Sequence, residues 1–367
     1  MTFTQKPTKV AIIGAGPAGI YCALHLQDTN NISIDIYEKS KPLKTLLPTG
    51  GGRCNLAHYA LNPKSLAKNY PRGEKFLYSI FTRHFVNDTL VFFKSIGIET
   101  YMQEDERYFP ISNSARDMRE KMLCALKNKN IINKKITDIK QLNNYDFVVI
   151  ATGSRGGYSL AEQLGHTIIT PKPSLCGLKL APGSPKYPQG VTINTPEGEI
   201  LFTKDGLTGP YIYKISSLKA RDNFPYDITI PLISREELQN KIKCNPKKIF
   251  GNIVSEFIPK SLSRVILGEN YNIKCSNVKK TTLDTLETLT FHVISPDNKG
   301  EIVTSGGVEL NEINNFCGSK LNPKIYFCGE IMNIDGFCGG YNLQNCWSSA
   351  FCAAQGIKNH LTQRKNL

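Results

Sequence analysis

The sequence predicts an α/β fold in which a parallel, doubly wound sheet is interrupted by a β-barrel-like domain and a small helical subdomain. Three observations support this class. Residues 9–38 read as strand, glycine turn, helix and strand. Two further apolar strands, in Asp146–Ser154 and Lys324–Gly336, end in glycine at the edge where such sheets bind ligands. Between them, residues 165–300 show hairpin and helix patterns, so an excursion separates two parts of the parallel sheet.

The first unit has the sequence "KVAIIGAGPAGIYCALHLQDTNNISIDIYE". Its first strand is followed directly by the pattern GxGxxG, at Gly14, Gly16 and Gly19. The first glycine allows a tight turn, the second lets backbone approach a pyrophosphate, and the third lets helix and strand pack closely. Glu38 lies 38 − 19 = 19 residues after the last glycine, where an acid binds the ribose of an adenosine. The unit therefore predicts a Rossmann-like dinucleotide-binding fold.

Two other segments are rich in glycine. "LPTGGGRCN" at Leu47–Asn55 follows the second strand. Its glycines allow backbone to lie against a large flat ligand, although such runs also occur in flexible loops. "IDGFCGGYNLQNCWSSAF" at Ile334–Phe351 places two adjacent glycines directly before an apolar helical stretch. A helix cap alone does not need this pair, so the segment indicates a second close approach of backbone to a ligand.

In chain order, eight motifs resemble those of bacterial FAD-dependent flavoproteins: GAGPAG, TGGGRCN, RYFP, GYSLAEQLGH, FTKDGLTGP, IPKSLSRVILGE, TSGGVELNEI and YFCGEIMNIDGFCGGYNLQNCWSS. That family includes aminoacetone-oxidase-like and dehydro-bile-acid-reductase-like proteins, and a ribosomal RNA dihydrouridine synthase is similar. The resemblance implies a Rossmann-like FAD-binding domain and an NAD(P)/FAD-dependent oxidoreductase. It also implies that GGYNLQ covers the flavin ring and that the following helix directs its N-terminus toward flavin N1 and O2.

Carried over residue by residue, the resemblance assigns FAD contacts to the glycine turn, the acid after the second strand, the glycine loop, the ends of two later strands and the start of the last helix. These residues are Gly14, Gly16, Pro17, Ala18, Gly19, Glu38, Lys39, Gly51, Gly52, Arg53, Asn55, Ala151, Thr152, Gly153, Gly329, Glu330, Gly340, Tyr341, Asn342 and Leu343. NADH or NADPH is expected as a transient reductant, because the sequence has no second GxGxxG unit for a dedicated NAD(P)H domain.

The resemblance and the changes of pattern divide the chain into three parts. Residues 1–164 and 301–367 are predicted to form a discontinuous FAD-binding domain. Residues 165–230 and 285–300 are predicted to form a β-rich substrate domain, because short alternating stretches there are broken by Pro and Gly. Residues 231–284 are predicted to form a small helical subdomain, because apolar residues recur there at helical spacing without hairpin signals.

A flavin reductase that saturates a double bond needs a proton donor, and Cys54 is the candidate that the resemblance places closest. The alternative for Cys54 is a small buried residue that packs beneath the cofactor, and both interpretations stay open. Arg53 is the second catalytic candidate, because it would neutralise a flavin phosphate or an anionic substrate; pairing with a nearby acid is the alternative. Asp335 reads as a turn former, and Tyr341 as a stacking platform or a rim residue.

The net charge of +14, from 45 Lys and Arg against 31 Asp and Glu, fits a polyanionic partner or solubility alone. Lysines concentrate in Lys127–Lys135, Lys241–Lys248 and Asn277–Lys280. Charge and resemblance together favour a reductase of a carbon–carbon double bond with a uridine in 23S ribosomal RNA as substrate. The alternatives are a flavoenzyme for a small amine or enone and a non-catalytic, FAD-containing RNA-binding protein.

Other classes of protein are not supported by the sequence. The 6 histidines and 11 cysteines lack metal-ligand spacing, so we expect no metal. The chain has no GxSxG elbow of a serine hydrolase. No apolar run reaches the roughly 18 residues of a membrane span, and the N-terminus lacks the regions of a signal peptide. We therefore expect a cytoplasmic protein without a membrane partner.

Overall fold

The computed structural model describes residues 6–127, 130–154, 156–184, 187–297 and 303–365 of the chain. The protein divides into two compact units, unit 1 at Met1–Lys172 and Thr304–Leu367, and unit 2 at Pro173–Val303. The domain boundary predicted between residues 300 and 301 lies outside the described residues. Unit 1 is discontinuous in sequence, whereas unit 2 is one continuous segment.

The elements of unit 1 begin with a βαβ arrangement and end with a long helix. They are β1 Thr8–Ile13, α1 Pro17–Leu26, β2 Ile32–Glu38, β3 Ala57–His58, α2 Pro63–Ala67, α3 Glu74–Phe81, α4 Val86–Ser95, β4 Thr100–Met102, β5 Arg107–Pro110, α5 Ala115–Cys124, β6 Ile131–Asn133, β7 Phe147–Ile150, α6 Tyr158–Gln163, β8 Ile168–Ser174, and after unit 2 β15 Val303–Val308, β16 Ile325–Phe327 and α12 Tyr341–Lys365.

Five parallel strands form the main sheet of unit 1, in the order β16-β7-β1-β2-β6. All residues of β7 and β16 are buried, because helices cover parallel sheets on both faces and each strand is then apolar throughout. β16 pairs with β7 although about half of the chain separates them, with Tyr326 opposite Val149. The predicted Rossmann-like sheet, completed by a strand from the far end of the chain, is therefore confirmed.

Two smaller sheets complete unit 1. An antiparallel sheet in the order β3-β5-β4 pairs Ala57 with Tyr108 and Met102 with Tyr108. Strands β8 and β15 pair where the chain leaves unit 1 and returns to it. The long helix α12 packs against α1, so the first and last helices of the chain lie side by side.

Unit 2 contains an antiparallel sheet and a group of helices. Its elements are β9 Gly177–Leu180, β10 Thr192–Thr195, β11 Gly198–Phe202, β12 Gly206–Thr208, α7 Pro210–Leu218, β13 Tyr226–Pro231, α8 Arg235–Cys244, α9 Phe250–Val254, α10 Lys260–Leu267, α11 Lys280–Glu287 and β14 Thr288–Asp297. The sheet order is β10-β11-β12-β9-β14-β13, so among the described residues β10 and β13 are edge strands and the sheet is open.

The helices of unit 2 share one hydrophobic core with the sheet. Phe250 and Leu262 from the helices belong to the same buried cluster as Ile228 and Phe291 from the strands. The helical part predicted at residues 231–284 is thus joined to the sheet by packing as well as by the chain. The predicted α/β class, with a β-rich and helical excursion, is confirmed.

The described residues include neither a membrane-spanning helix nor a cluster of metal ligands. Among these residues, no helix combines the length and apolar character that crossing a membrane requires. In the same part of the chain, no group of three or more His, Cys, Asp or Glu side chains is arranged to hold a metal ion.

Candidate cofactor site

The turn between β1 and α1 requires glycine at two positions for steric reasons. Gly14 has φ +105°, and a Cβ atom there would lie 2.4 Å from the carbonyl oxygen of Ala151. A Cβ atom on Gly19 would lie 1.9 Å from the carbonyl oxygen of Gly14. Gly16 is different, because its nearest neighbour, Thr45 Oγ1, is 3.8 Å from the Cβ position. The turn therefore packs tightly against β7 while leaving open the side at Gly16, where α1 begins with its free N–H groups.

The carboxylate of Glu38 is fixed at the end of β2, beside this turn. The backbone N–H of Ala15 donates to Glu38 Oε2 at 2.8 Å, and the N–H and hydroxyl of Ser40 donate to Oε1 at 2.8 and 2.9 Å. A carboxylate has about four lone-pair positions, and these three donors leave one of them, on Oε2, for a hydroxyl group. Lys39 Nζ lies 3.5 Å from the Cβ position of Gly156, which brings the end of β2 close to the loop after β7.

The glycine loop after β2 has a left-handed backbone at three consecutive residues. Gly50, Gly51 and Gly52 have φ values of +58°, +67° and +86°. A Cβ atom on Gly50 would lie 2.6 Å from the backbone nitrogen of Asn55, so that position is packed. A Cβ atom on Gly51 would have no neighbour within 4 Å. Gly51 is therefore exposed backbone that no protein atom covers, as a flat ligand requires.

The two catalytic candidates lie at the end of this loop. Cys54 is fully buried and has an unusual left-handed backbone, with φ +64°. Burial raises the pKa of its thiol to about 12, and a hydrogen bond with Thr49 opposes that shift. Arg53 places its guanidinium carbon 4.3 Å from the centre of the Phe109 ring. Among the described residues Arg53 has no ion-pair partner, and its guanidinium group makes a cation–π contact with the Phe109 ring instead.

The start of α12 contacts the glycine loop directly. Gly340 has φ +96°, and a Cβ atom there would lie 2.6 Å from the carbonyl oxygen of Ala57. With its amide in the orientation that satisfies both groups, Asn55 donates to Ala57 O and accepts from Gly340 N–H, each at 3.1 Å. Trp347 Nε1 donates to the carbonyl of Leu56 at 2.9 Å. The loop and the helix N-terminus, which are nearly 300 residues apart in sequence, therefore form one surface.

The side chains of Tyr341 and Asn342 make contacts within the protein. Asn342 bonds both backbone groups of Gly336 at 2.9 Å, which closes the loop before α12. The Tyr341 ring stacks on His58, with centroids 4.7 Å apart and planes 15° apart, and is only 7% exposed. Burial raises the pKa of the Tyr341 hydroxyl to about 12. Tyr341 therefore packs against β3, and the first N–H groups of α12 are the part of this segment without intrahelical acceptors.

Residues 69–73, here called the loop brace, hold the segment before α12, and sequence reasoning missed them. Tyr70 donates its hydroxyl to the carbonyl of Tyr341 at 2.6 Å. Arg72 pairs with Asp335, whose side chain is fully buried. Asp335, which the sequence suggested as a turn former, is thus the buried partner in an ion pair. No motif marks the loop brace, and nothing in residue spacing connects it to the C-terminal segment.

The end of β16 lies between α1 and α12. Gly329 has φ +74°, and a Cβ atom there would lie 2.9 Å from Ala18 Cβ and 3.4 Å from Cys346 Sγ. The Gly329 N–H donates to Ser349 Oγ at 2.9 Å. Glu330 follows directly and is partly exposed, beside Cys346. This close approach brings the first turns of the two helices to the same edge of the sheet.

Two buried polar side chains near this edge lack a hydrogen-bond partner. Among the described residues, neither Thr152 Oγ1, after β7, nor the amide of Asn345, in the first turns of α12, has one. Most buried polar groups are satisfied, so such exceptions point to a bound group. Asn345 was not among the predicted site residues, since an Asn inside an apolar helical stretch gives no separate signal.

Together these features fit a dinucleotide that carries a flat ring. The carboxyl ends of β1, β2, β7 and β16 lie at one edge of the parallel sheet, where the segments predicted to bind FAD are joined by the contacts above. The start of α1 favours phosphate, and Glu38 offers one free acceptor position for a ribose hydroxyl. The open backbone at Gly51 and the start of α12 suit the ring. We retain the predicted FAD contacts, including Pro17, Gly153 and Leu343, as a proposal on this basis.

Curated relatives cover nearly the whole chain. The ribosomal RNA dihydrouridine synthase of Escherichia coli is 26% identical over 393 residues, covering 94% of this chain and 97% of that protein. The enzyme of the same name from Haemophilus influenzae is 25% identical over 395 residues, with the same coverages. The 3-dehydro-bile acid delta(4,6)-reductase of Clostridium scindens is 24% identical over 417 residues, covering 95% of this chain and 98% of that protein.

A family match agrees with the geometry of the sheet edge. The family described as HI0933-like protein Rossmann domain matches residues 8–153 and 146–356, which include the glycine turn, the glycine loop and the start of α12. The matched residues lie in both units, so the excursion belongs to the family pattern as well. The chain therefore belongs to the HI0933-like family and is an FAD-dependent oxidoreductase.

Proposed function

We propose that this protein reduces a carbon–carbon double bond, and that its substrate is a uridine in ribosomal RNA. The observation that carries the proposal is the match, over 94% of the chain, to two relatives named ribosomal RNA dihydrouridine synthase. The third relative is named as a reductase of a bile acid, so the three names share reductive chemistry. The net charge of +14 supports an anionic polymer over a neutral small molecule.

The proposed reaction balances with a nicotinamide as reductant. NADH or NADPH loses a hydride and becomes NAD⁺ or NADP⁺, one ring carbon of uridine gains a hydride, and the adjacent carbon gains a proton. Bound FAD supplies the hydride relay between the two substrates. The residues of this chain have the tasks of holding the cofactor, orienting the uracil ring, excluding water and delivering the proton.

We assign these tasks to the contacts described above. The β1–α1 turn and Glu38 bind the adenosine diphosphate part of FAD. The N-terminus of α12 stabilises negative charge at one end of the flavin, because its free N–H groups and the helix dipole favour an anion. Cys54 is the proposed proton donor because of its place at the end of the glycine loop. Burial raises the pKa of its thiol to about 12, so the thiol stays protonated at neutral pH but is a weaker acid than a donor whose pKa lies near the working pH. Arg53 is the proposed cation for the anionic substrate.

The target uridine must leave its base stack to reach a flavin. Unstacking and unpairing cost a few kcal/mol and cost least in a single-stranded segment. We therefore expect the target to lie in a loop of the ribosomal RNA rather than in a duplex. A lysine-rich protein would obtain the required binding energy from phosphates, with affinity that falls steeply as salt rises.

A small-molecule flavoenzyme, either an enone reductase or an amine oxidase, is the second candidate, and the Clostridium scindens relative favours its reductase form. That enzyme is as similar over its full length as the RNA-modifying relatives are, since the identities span only 24–26%. Under this alternative the substrate is a hydrophobic enone or a small amine, and the charge of the chain is incidental. Without added RNA, oxidation of NADH or NADPH that depends on an enone, or consumption of oxygen that depends on a small amine, would favour it.

The deciding experiment measures dihydrouridine in ribosomal RNA from host cells with and without this gene, by nuclease digestion and mass spectrometry. We expect one ribosomal dihydrouridine to disappear on deletion and to return when the gene is restored. An unchanged dihydrouridine profile would overturn the RNA substrate. The purified protein would then be assayed with enones and small amines.

A further inference from the structure

Two lysine-rich segments of unit 2 that are separate in sequence lie side by side in the fold. The N–H of Cys275 donates to the carbonyl of Lys248 at 2.9 Å, and the N–H of Ser276 donates to the carbonyl of Pro246 at 3.0 Å. An antiparallel bridge pairs Ile249 with Lys274. The segments at residues 241–249 and 273–280 therefore form one surface.

Six lysines of these segments are exposed, and we call them the lysine patch. They are Lys243, Lys247, Lys248, Lys274, Lys279 and Lys280. Among the described residues, none of the six takes part in an ion pair within 4.0 Å. Exposed lysines without partners raise the local positive potential, and the proximity of six such charges costs free energy unless an anion relieves it.

Three acidic groups on the neighbouring elements pair with cations outside the patch. Glu256 pairs with Lys241, which is why Lys241 is not counted in the patch. Asp284 and Glu287 on α11 both pair with Arg235. The two segments themselves contain no Asp or Glu. The hydrogen bond with Lys241 lowers the pKa of Glu256, and the charge of Lys248 also contributes to that shift. The other carboxylates on neighbouring elements are Glu236, Glu237 and Glu269, so the six lysines leave an excess of positive charge.

The backbone beneath the patch is anchored in the core of unit 2. Cys275 and Phe250 are buried, and the Phe250 N–H donates to the carbonyl of Ile273 at 2.8 Å. Helix α8 packs against α11 and against the short turn at Cys275–Asn277. The lysines therefore extend from ordered backbone, and only their side chains lose freedom when a partner binds.

The chemistry of the patch suits phosphates rather than bases. Residues 241–249 and 273–280 include no aromatic residue on which a base could stack, and no arginine that could pair with a base edge in two places. Ammonium groups bind phosphate as point charges. Contacts of this kind position a nucleic acid without reading its sequence.

We propose that the lysine patch binds backbone phosphates of the RNA substrate and so positions the RNA on unit 2. The inference rests on the proposed function and adds to it a binding surface in unit 2, whereas the proposed FAD contacts belong to unit 1. It also separates this surface from the third lysine-rich segment, Lys127–Lys135, where Lys127 pairs with Asp28 in unit 1. Asn128 and Lys129 of that segment lie outside the described residues.

The test compares two triple variants that remove the same charge. The patch variant carries Lys247→Gln, Lys248→Gln and Lys274→Gln. The control carries Lys135→Gln, Lys140→Gln and Lys324→Gln, which are exposed positions of unit 1. Binding of a fluorescent single-stranded RNA to the full-length, FAD-loaded proteins is measured by anisotropy between 50 and 300 mM salt, and flavin absorbance checks the folding of each protein.

We expect the patch variant, and not the control, to bind RNA about tenfold more weakly at low salt. The slope of log affinity against log salt should fall by about 2, because each lost phosphate contact removes about 0.7 for a single strand. Equal losses in both triples would overturn the proposal, since total charge would then explain binding. Unchanged binding in the patch variant, or binding of wild type to phosphatidylglycerol vesicles but not to RNA, would also overturn it.

The failure of this proposal is distinguishable from the failure of the proposed function. The patch variant could restore ribosomal dihydrouridine in a deletion strain as well as wild type does and also bind RNA normally. In that case the proposed role of the lysine patch is wrong, and the proposed RNA substrate is still supported. If wild type restores no dihydrouridine, the proposed function fails whatever the RNA affinities are.

Discussion

Arg72 and Asp335 form an ion pair through two hydrogen bonds, from Nε and Nη2 to the two carboxylate oxygens, across 263 residues of sequence. Asp335 is fully buried, so its charge depends on such partners. The pair belongs to the loop brace, which also includes the hydroxyl of Tyr70 on the carbonyl of Tyr341. The brace therefore fixes the segment that leads into α12.

We expect Arg72→Met to lower the free energy of unfolding by about 3–5 kcal/mol, because it leaves a buried carboxylate without this partner. The double variant Arg72→Met/Asp335→Leu should recover most of that loss, since no buried charge remains. Urea unfolding of the two variants checks this. Equal stability of Arg72→Met and wild type would show that the ion pair contributes nothing. Both variants should bind FAD more weakly in a fluorescence titration, because the start of α12 is no longer fixed.

Gly51→Ala and Gly97→Ala form a matched pair that tests the FAD surface. Both glycines have positive φ, +67° and +77°, and neither has a neighbour within 4 Å of its Cβ position. Each substitution should cost about 1–2 kcal/mol of stability, because an L-residue is disfavoured in the left-handed region. Only Gly51→Ala should also weaken FAD binding, since its methyl group would occupy the flavin surface. Equal FAD affinity in the two variants would remove Gly51 from the cofactor site.

Cys54→Ala should leave the flavin reducible by NAD(P)H but slow the reduction of the substrate, if the thiol delivers the proton. Stopped-flow absorbance separates these two half-reactions. Burial raises the pKa of the Cys54 thiol to about 12, so the thiol should stay protonated below about pH 10. Deprotonation of Cys54 should therefore not lower the reaction rate in that pH range. Unchanged substrate reduction in Cys54→Ala would leave the thiol with a packing role only.

The buried pair His25 and His84 should make the protein sensitive to acid. Burial lowers the pKa of both imidazoles from 6.5 to about 3. The unfolded chain therefore binds protons between these values while the folded protein does not, and stability falls as pH drops from 6.5 toward 3. Each histidine lowers the free energy of unfolding by up to about 1.4 kcal/mol for each unit that the pH falls in this range.

The variant His25→Phe tests this slope, because a phenyl ring suits the contacts of His25 with Phe92 and Phe351. Urea unfolding at pH values from 4 to 7 should show that the free energy of unfolding of His25→Phe falls less with decreasing pH than that of wild type. Tyr78→Phe, at an exposed aromatic residue of unit 1, is the control and should keep the wild-type decline of the free energy of unfolding. If His25→Phe declines as steeply as wild type, the acid sensitivity comes from other groups.

The parts of the fold that the sequence predicted are those with local causes. Gly14 and Gly19 follow a strand and precede a helix, so steric rules of one βαβ unit fix their meaning. Continuous apolar runs predicted β7 and β16 for the same reason, since a strand covered on both faces has no alternation. The antiparallel sheet of unit 2 was predicted only as a class, because hairpin signals give strands but not the sheet order or an open edge.

The features that sequence reasoning missed depend on long-range contacts. Arg72 lies in a loop without a motif, and its partner Asp335 had a sufficient local explanation as a turn residue. The stacking of Tyr341 on His58 is of the same kind, because nothing near either residue indicates the other. The lysine patch was visible in the sequence as two separate charge runs, and contacts in the fold, such as the bridge between Ile249 and Lys274, show that they share a surface.

The discontinuity of unit 1 has a consequence for the order of events during synthesis. The hydrogen bond from Trp347 to Leu56 joins residues 291 positions apart, so it cannot form until residue 347 has left the ribosome. The continuous unit 2 at Pro173–Val303 leaves the ribosome before that point. Nascent chains should therefore expose an uncompleted Rossmann sheet while the inserted unit is already available to fold. Because the proposed FAD contacts lie on both sides of unit 2 in the sequence, we expect FAD to bind only after the start of α12 has left the ribosome.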